Sequence, residues 1–204
     1  MDNTMELVER GDLSKLNELR GGREMRTAVI YHTKTIAAGA LATQYEFFRA
    51  VSGLQEDISG VATADQSNMV LGGKFDEPFL IKNVGIFYNP FDTSGKIDSD
   101  MKEDFMLMMN QGSFKLEINS KQVLQLSPLA VVGSVLNYGG FASTGSSGAD
   151  LVIANNIMPI ELNPMIFCPE GVNVRALINW TTAITMENTT QLGIFLYGNK
   201  FNKA

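Results

Sequence analysis

The sequence predicts a mainly β fold, an antiparallel sandwich or closed barrel of about eight strands with one inserted helix. Three observations carry this. Residues 113–119 alternate Phe114, Leu116 and Ile118 with Ser113, Lys115, Glu117 and Asn119, the period of two that gives a strand one buried and one wet face. Runs of β-branched and aromatic residues recur with turn residues between them, without the strand–helix–strand rhythm of a parallel sheet. Beyond the first 25 residues, only 98–111 spaces its apolar residues as a helix does.

Taken in order, residues 1–25 form a helical arm and 26–204 a single β domain. Asn3 and Glu6 form an N-terminal capping pair ahead of Met5, Leu7 and Val8, and Gly11 breaks this first helix. Asp12 caps a second one carrying Leu13, Leu16 and Leu19, and Gly21 and Gly22 close it. Each helix is shorter than the roughly 12–15 residues that hold together alone. The arm leucines Leu7, Leu13, Leu16 and Leu19 therefore need a partner: the chain's own body, a neighbouring subunit or a membrane surface.

Residues 27–36 begin the β region. Tyr45, Glu46, Phe47 and Phe48 form a short apolar element of either type, and 53–78 is loop-like. Residues 79–88 are a strand with Val84, Ile86 and Tyr88 on one face, ended by Asn89-Pro90. In the helix over 98–111, Asp98, Asp100, Glu103 and Asp104 favour the positive end of the dipole, and Met101, Phe105, Met108 and Met109 make one apolar face. Asn119-Ser120 joins 113–119 to 123–126 as a hairpin, and 129–136 is another apolar run. Residues 137–150 form a long Gly/Ser-rich loop, either a mobile surface loop or an interaction loop with Tyr138 and Phe141 as its contact residues. Strands follow at 157–168, 172–185 and 190–198.

The chemistry-bearing residues point away from catalysis, and no cofactor is expected. His32 is the single histidine and sits within a strand, without a nucleophile motif to serve. Cys168 is the single cysteine and reads as a small buried apolar residue, so one Cys and one His leave zinc without its usual ligands. Asp92, Ser94, Asp98, Asp100 and Glu103 mimic a calcium loop, but Lys96 and Ile97 occupy two of its critical positions. Gly72-Gly73-Lys74 is followed by Phe75 and lacks the rest of a phosphate loop. Trp180 continues an alternating strand face and reads as packing. A net charge of −6 argues against specific nucleic-acid binding. The N-terminus has no charged segment followed by an apolar run, and no stretch of about 18 apolar residues occurs.

In this order of features the chain resembles the single jelly-roll coat proteins of tailless icosahedral bacteriophages. The resemblance rests on the arm before Val29-Ile30-Tyr31, the segment at 45–48, the strand from Phe79 to Ile86, a short helix, the 113–126 hairpin, Asn163-Pro164 and the closing Gly193-Ile194-Phe195-Leu196-Tyr197-Gly198. It covers about residues 27–200. It implies a jelly-roll sandwich standing in a capsid shell, assembled in the host cytoplasm into the virion. The implied partners are copies of itself and other virion proteins, with arm contact to an internal membrane as a further option. An accessory virion protein (cement, vertex or tail-associated) and a carbohydrate-binding sandwich are the alternatives.

Overall fold

A computed structural model describes residues 5–39, 41–49, 55–56, 60–61, 67–69, 71–90, 99–132, 138–143, 150–154 and 159–202. Along the chain come β1 (Glu6–Val8), α1 (Leu13–Arg20), β2 (Glu24–Ile36), β3 (Leu41–Phe47), β4 (Gln55–Glu56), β5 (Gly60–Val61), β6 (Phe79–Pro90) and α2 (Ser99–Gln111). They are followed by β7 (Gly112–Ile118), β8 (Lys121–Leu126), a short 3-10 helix (Leu129–Val132), β9 (Tyr138–Ser143), β10 (Asp150–Ala154), β11 (Ile160–Cys168), β12 (Val174–Thr185) and β13 (Thr190–Asn202).

Two antiparallel sheets pack as a sandwich. One has the order β1-β11-β6-β13-β2 and the other β3-β12-β7-β8. The eight strands of these two sheets other than β1 pair in a nested way: β2 with β13, β3 with β12, β6 with β11, and β7 with β8. Contacts of β13 with β6 and of β12 with β7 then join these four hairpin-like pairs into the two sheets. Alternation does the rest. In β7, Phe114, Leu116 and Ile118 are fully buried between half-exposed neighbours. Val84, Ile86, Leu192, Ile194 and Leu196 from one sheet meet Phe47, Val174, Ala176 and Ile178 from the other in one core.

The β7–β8 turn shows why Asn119-Ser120 works as a hairpin. Both residues have positive φ, 49° and 63°, the backbone a two-residue turn needs to match the twist of its strands. Asn119 also donates its N–H to Asn173 O and accepts the Asn173 N–H on Oδ1, both at 3.0 Å, which ties the turn to the start of β12.

Helix α2 lies against β12 and the 3-10 helix. It buries Phe105, Met108 and Met109 as the spacing requires, with Phe105 edge-on to Tyr88 at 5.2 Å. Trp180 Nε1 donates to Met108 O at 3.1 Å, so the one tryptophan is a packing residue with its polar atom satisfied. Asp104, also buried, accepts the N–H groups of Glu187 and Asn188, both at 3.0 Å. That carboxylate straps the helix to the β12–β13 turn.

Two expectations are corrected. Residues 6–8 are a strand, not a helix: the free edge of β11 supplies hydrogen-bond partners that outweigh a local cap signal, pairing Glu6 with Phe167 and Val8 with Met165. The N-terminal segment is thus a strand and one helix rather than a helical arm. Tyr138 and Phe141 lie in β9, paired with Ala154 and Val152 of β10, so the Gly/Ser-rich stretch begins as a hairpin strand and not as a loop. The apolar run from 129 opens as a 3-10 turn. Asp92, Ser94 and Asp98 of the calcium-like pattern lie outside the described residues.

Candidate interaction surface

The outer faces of the two sheets differ in chemistry. On the four-stranded sheet the outward side chains are charged and laced across strands. Arg175 in β12 is bidentate to Glu46 in β3 (2.5 and 3.1 Å) and reaches Glu117 in β7 at 3.4 Å, while Lys115 pairs with Glu117 at 2.6 Å. These partners hold the Glu117 carboxyl below the usual carboxylate range, with the Lys115 hydrogen bond the largest cause and partial burial opposing it. Opposite charges on facing positions stabilise such a face modestly while keeping it wet.

The outer face of the five-stranded sheet carries an apolar cluster, and the N-terminal segment covers it. Val8, Leu80, Met165, Phe167 and Phe201 form a second core, separate from the one between the sheets, with Leu16 and Leu19 of α1 packed on it. The local sequence shapes this cover. Asp12 caps α1 by accepting the Lys15 N–H at 2.9 Å, and Gly21, in the left-handed conformation, ends it. Lys15 then pairs with Glu6 at 3.0 Å, tying α1 to β1.

Arg10 fastens this segment to the sheet. Its Nε donates to Leu162 O at 3.2 Å, one Nη donates to Lys82 O at 3.3 Å, and the other lies 3.4 Å from Glu161. Burial, and then the Arg10 charge, push the Lys82 ammonium below its ordinary pKa. A groove of about 440 Å³ runs beside the end of α1, with Leu19, Arg20, Phe167, Pro169 and Glu170 in its walls.

Next to the covered area the same face carries a row of half-buried aromatic rings. Phe195 stacks on Tyr31 at 5.5 Å and on Tyr197 at 6.3 Å, and Phe87 lies tilted at 5.8 Å. Leu192, Ile194 and Leu196 in β13 point into the core, so these alternate positions belong to the opposite face. Burial raises the Tyr197 phenol above its ordinary value. Such a stripe offers large rigid contact area at small entropic cost, as protein and ligand interfaces do.

Of the residues singled out in the sequence, Leu16 and Leu19 dock on the sheet, whereas Leu7 and Leu13 are 54% and 68% exposed. Tyr138 and Phe141 sit on one strand, away from any of these by pairing. Arg10, the Tyr31–Phe195–Tyr197–Phe87 stripe and Asn68, which hydrogen-bonds to β2, were not anticipated. Only the stripe had a signal, since Phe195 and Tyr197 make both faces of β13 apolar.

His32 is buried, edge-on to Phe47 and Phe48, and its Nδ1 accepts the Phe48 N–H at 2.7 Å. Cys168 is buried and free, and burial raises its thiol pKa far above the ordinary range. Among the described residues no three His, Cys, Asp or Glu side chains come together as metal ligands, and no helix is long and apolar enough to cross a membrane. Compared with protein-family models and with curated proteins, the chain matches none.

Proposed function

We propose that the chain is a structural subunit of a virus coat, a single jelly-roll sandwich that packs against copies of itself and other virion proteins in a capsid shell. The observation that carries this reading is the nested pairing of the eight strands of the two sheets other than β1. Numbered one to eight, they pair one with eight, two with seven, three with six and four with five. Such nested pairing across two sheets supports a jelly roll of the kind used by many viral capsids. Further support comes from the asymmetry of the two faces: one charged, the other carrying the aromatic stripe and the exposed Leu7 and Leu13. The latter face is suited to neighbours within a shell.

The test is mass photometry of the full chain and of a chain lacking residues 1–20, with electron microscopy of any large species. The full chain is expected to form discrete oligomers or shells. Tyr31→Ser with Phe195→Ser, which strips the stripe, is expected to dissociate them. A full chain that stays monomeric at high concentration, alone and with other virion proteins present, would refute the shell reading. An accessory virion role would appear instead as a copy number well below that of the main shell protein.

A second reading, a carbohydrate-binding sandwich, is favoured by the same stripe, because jelly rolls also serve as lectins and aromatic faces stack on sugar rings. Glycan-array binding that is lost with Phe195→Ser would select it over the shell.

A further inference from the structure

Strand β2 is the outer strand of the five-stranded sheet and runs for 13 residues. An edge of that length is a template for pairing with another chain. At its middle the edge is occupied. Asn68 donates its backbone N–H to Tyr31 O at 3.3 Å, accepts the Tyr31 N–H on Oδ1 at 2.9 Å and donates from Nδ2 to Val29 O at 2.7 Å. The first bond is what a neighbouring strand would make. The other two come from a carboxamide, which carries the same donor and acceptor as a peptide group. Ser67 and Met69 on either side are buried, Met69 in the central core, and Ser67 bridges to His32. Asn68 itself is exposed, so its contribution lies in the edge bonds and not in core packing.

Outward N–H and C=O groups alternate along an edge, so Met25 and Thr27 share the orientation of Val29 and Tyr31. Residues 24–27 are exposed. Suppose two copies paired here about a two-fold axis. A register centred on Thr27 sets Met25 opposite Val29, Arg26 opposite Ala28 and Glu24 opposite Ile30, with no like charges facing. Asn68 blocks that register by holding Val29 and Tyr31. A register centred on Arg26 sets Arg26 against Arg26, which repels. One centred on Met25 needs the Arg23 carbonyl, which Arg20 Nε already engages at 2.6 Å.

We infer that Asn68 is a strand-mimicking stop that denies the β2 edge to the β2 edge of a second copy of this chain. This inference stands apart from the shell reading. It concerns which contact the fold forbids, whatever the molecule does.

The test compares the full-length wild type, Asn68→Ala, and Asn68→Ala with Thr27→Pro, by hydrogen exchange and sedimentation velocity across protein concentration. Proline at 27 removes an outward N–H that no strand among the described residues uses, a substitution edges tolerate. In dilute Asn68→Ala the Tyr31 amide is expected to exchange about tenfold faster, the effect of losing one hydrogen bond. At higher concentration an association step beyond that of the wild type is expected, with the Val29 amide protected by the Met25 carbonyl of the second copy. The double variant is expected to lack that step. Unchanged Tyr31 exchange, no added association, or association that survives Thr27→Pro would each overturn the inference. If Asn68→Ala fails to fold, Asn68→Leu is measured against the same outcomes, since it too removes both carboxamide bonds to β2.

Discussion

Gly198→Ala is the single-methyl change expected to damage this sandwich most. Gly198 lies in β13 opposite Ile81, immediately after the β6–β13 register slips at Tyr197. A Cβ built on it falls 1.8 Å from Leu80 O, 2.8 Å from the Leu80 carbonyl carbon and 3.1 Å from Phe79 Cε1. Contacts under 3.0 Å are essentially never made by real Cβ atoms. The two nearest obstacles are backbone, so β6 and β13 would have to part by more than an ångström. Forced overpacking costs about 1–3 kcal/mol, and each ladder hydrogen bond lost in parting adds about 1 kcal/mol. The expected loss is about 3–5 kcal/mol, a large fraction of the stability a domain normally has. For a chain of this size the melting temperature should fall by about 10 °C. Urea unfolding followed by circular dichroism, at matched protein concentration, measures it. A loss under about 1 kcal/mol with an unchanged denaturant slope would refute the reasoning, because it would mean the two strands do not approach this closely in solution.

Two further outcomes can be measured on the same samples. Asp104→Ala leaves the Glu187 and Asn188 N–H groups without their acceptor and should cost about 2–4 kcal/mol, whereas Asp104→Asn, which keeps one carbonyl oxygen, should cost less. Parallel urea titrations decide whether the β12–β13 turn depends on that carboxylate. Glu117 contributes to stability with a definite sign in pH. Its folded-state pKa is lowered by Lys115 and Arg175, so its contribution is complete above the ordinary carboxylate value and is lost as pH falls through the lower folded value. On so wet a face the effect is a few tenths of a kcal/mol. Glu117→Gln should flatten that part of the stability–pH curve below about pH 4.5 and leave neutral pH nearly unchanged.

Much of the sandwich was legible because its strands bury one face. The alternation in 113–119 and the helical spacing of Phe105, Met108 and Met109 both mark what is buried in the structure. The hairpin at Asn119-Ser120 was legible because turn geometry is local. What stayed hidden depends on partners distant in sequence. Glu6–Val8 is a strand only because β11 lies beside it. Arg10 acts on the carbonyls of Lys82 and Leu162, and Asn68 on the backbone of Val29 and Tyr31. A main-chain acceptor leaves no trace in the residue types around it. The Gly-rich Tyr138–Ser143 strand has weak propensity of its own and takes its form from β10.

The nested pairing also sets an order of events at the ribosome. Of the four nested pairs, only β7 and β8 are neighbours along the chain. Each outer pair needs a longer loop to close, and the pair of β2 with β13, thirteen rungs long, needs nearly the whole chain. During synthesis β2 therefore waits, unpaired on the side of its main partner, until β13 has emerged. β6 waits with it for the same strand. For that interval the nascent chain exposes two long apolar strands, the state in which chains of this kind are lost to aggregation. Substitutions in β13 should thus lower the yield of soluble protein more than their effect on the finished fold would suggest.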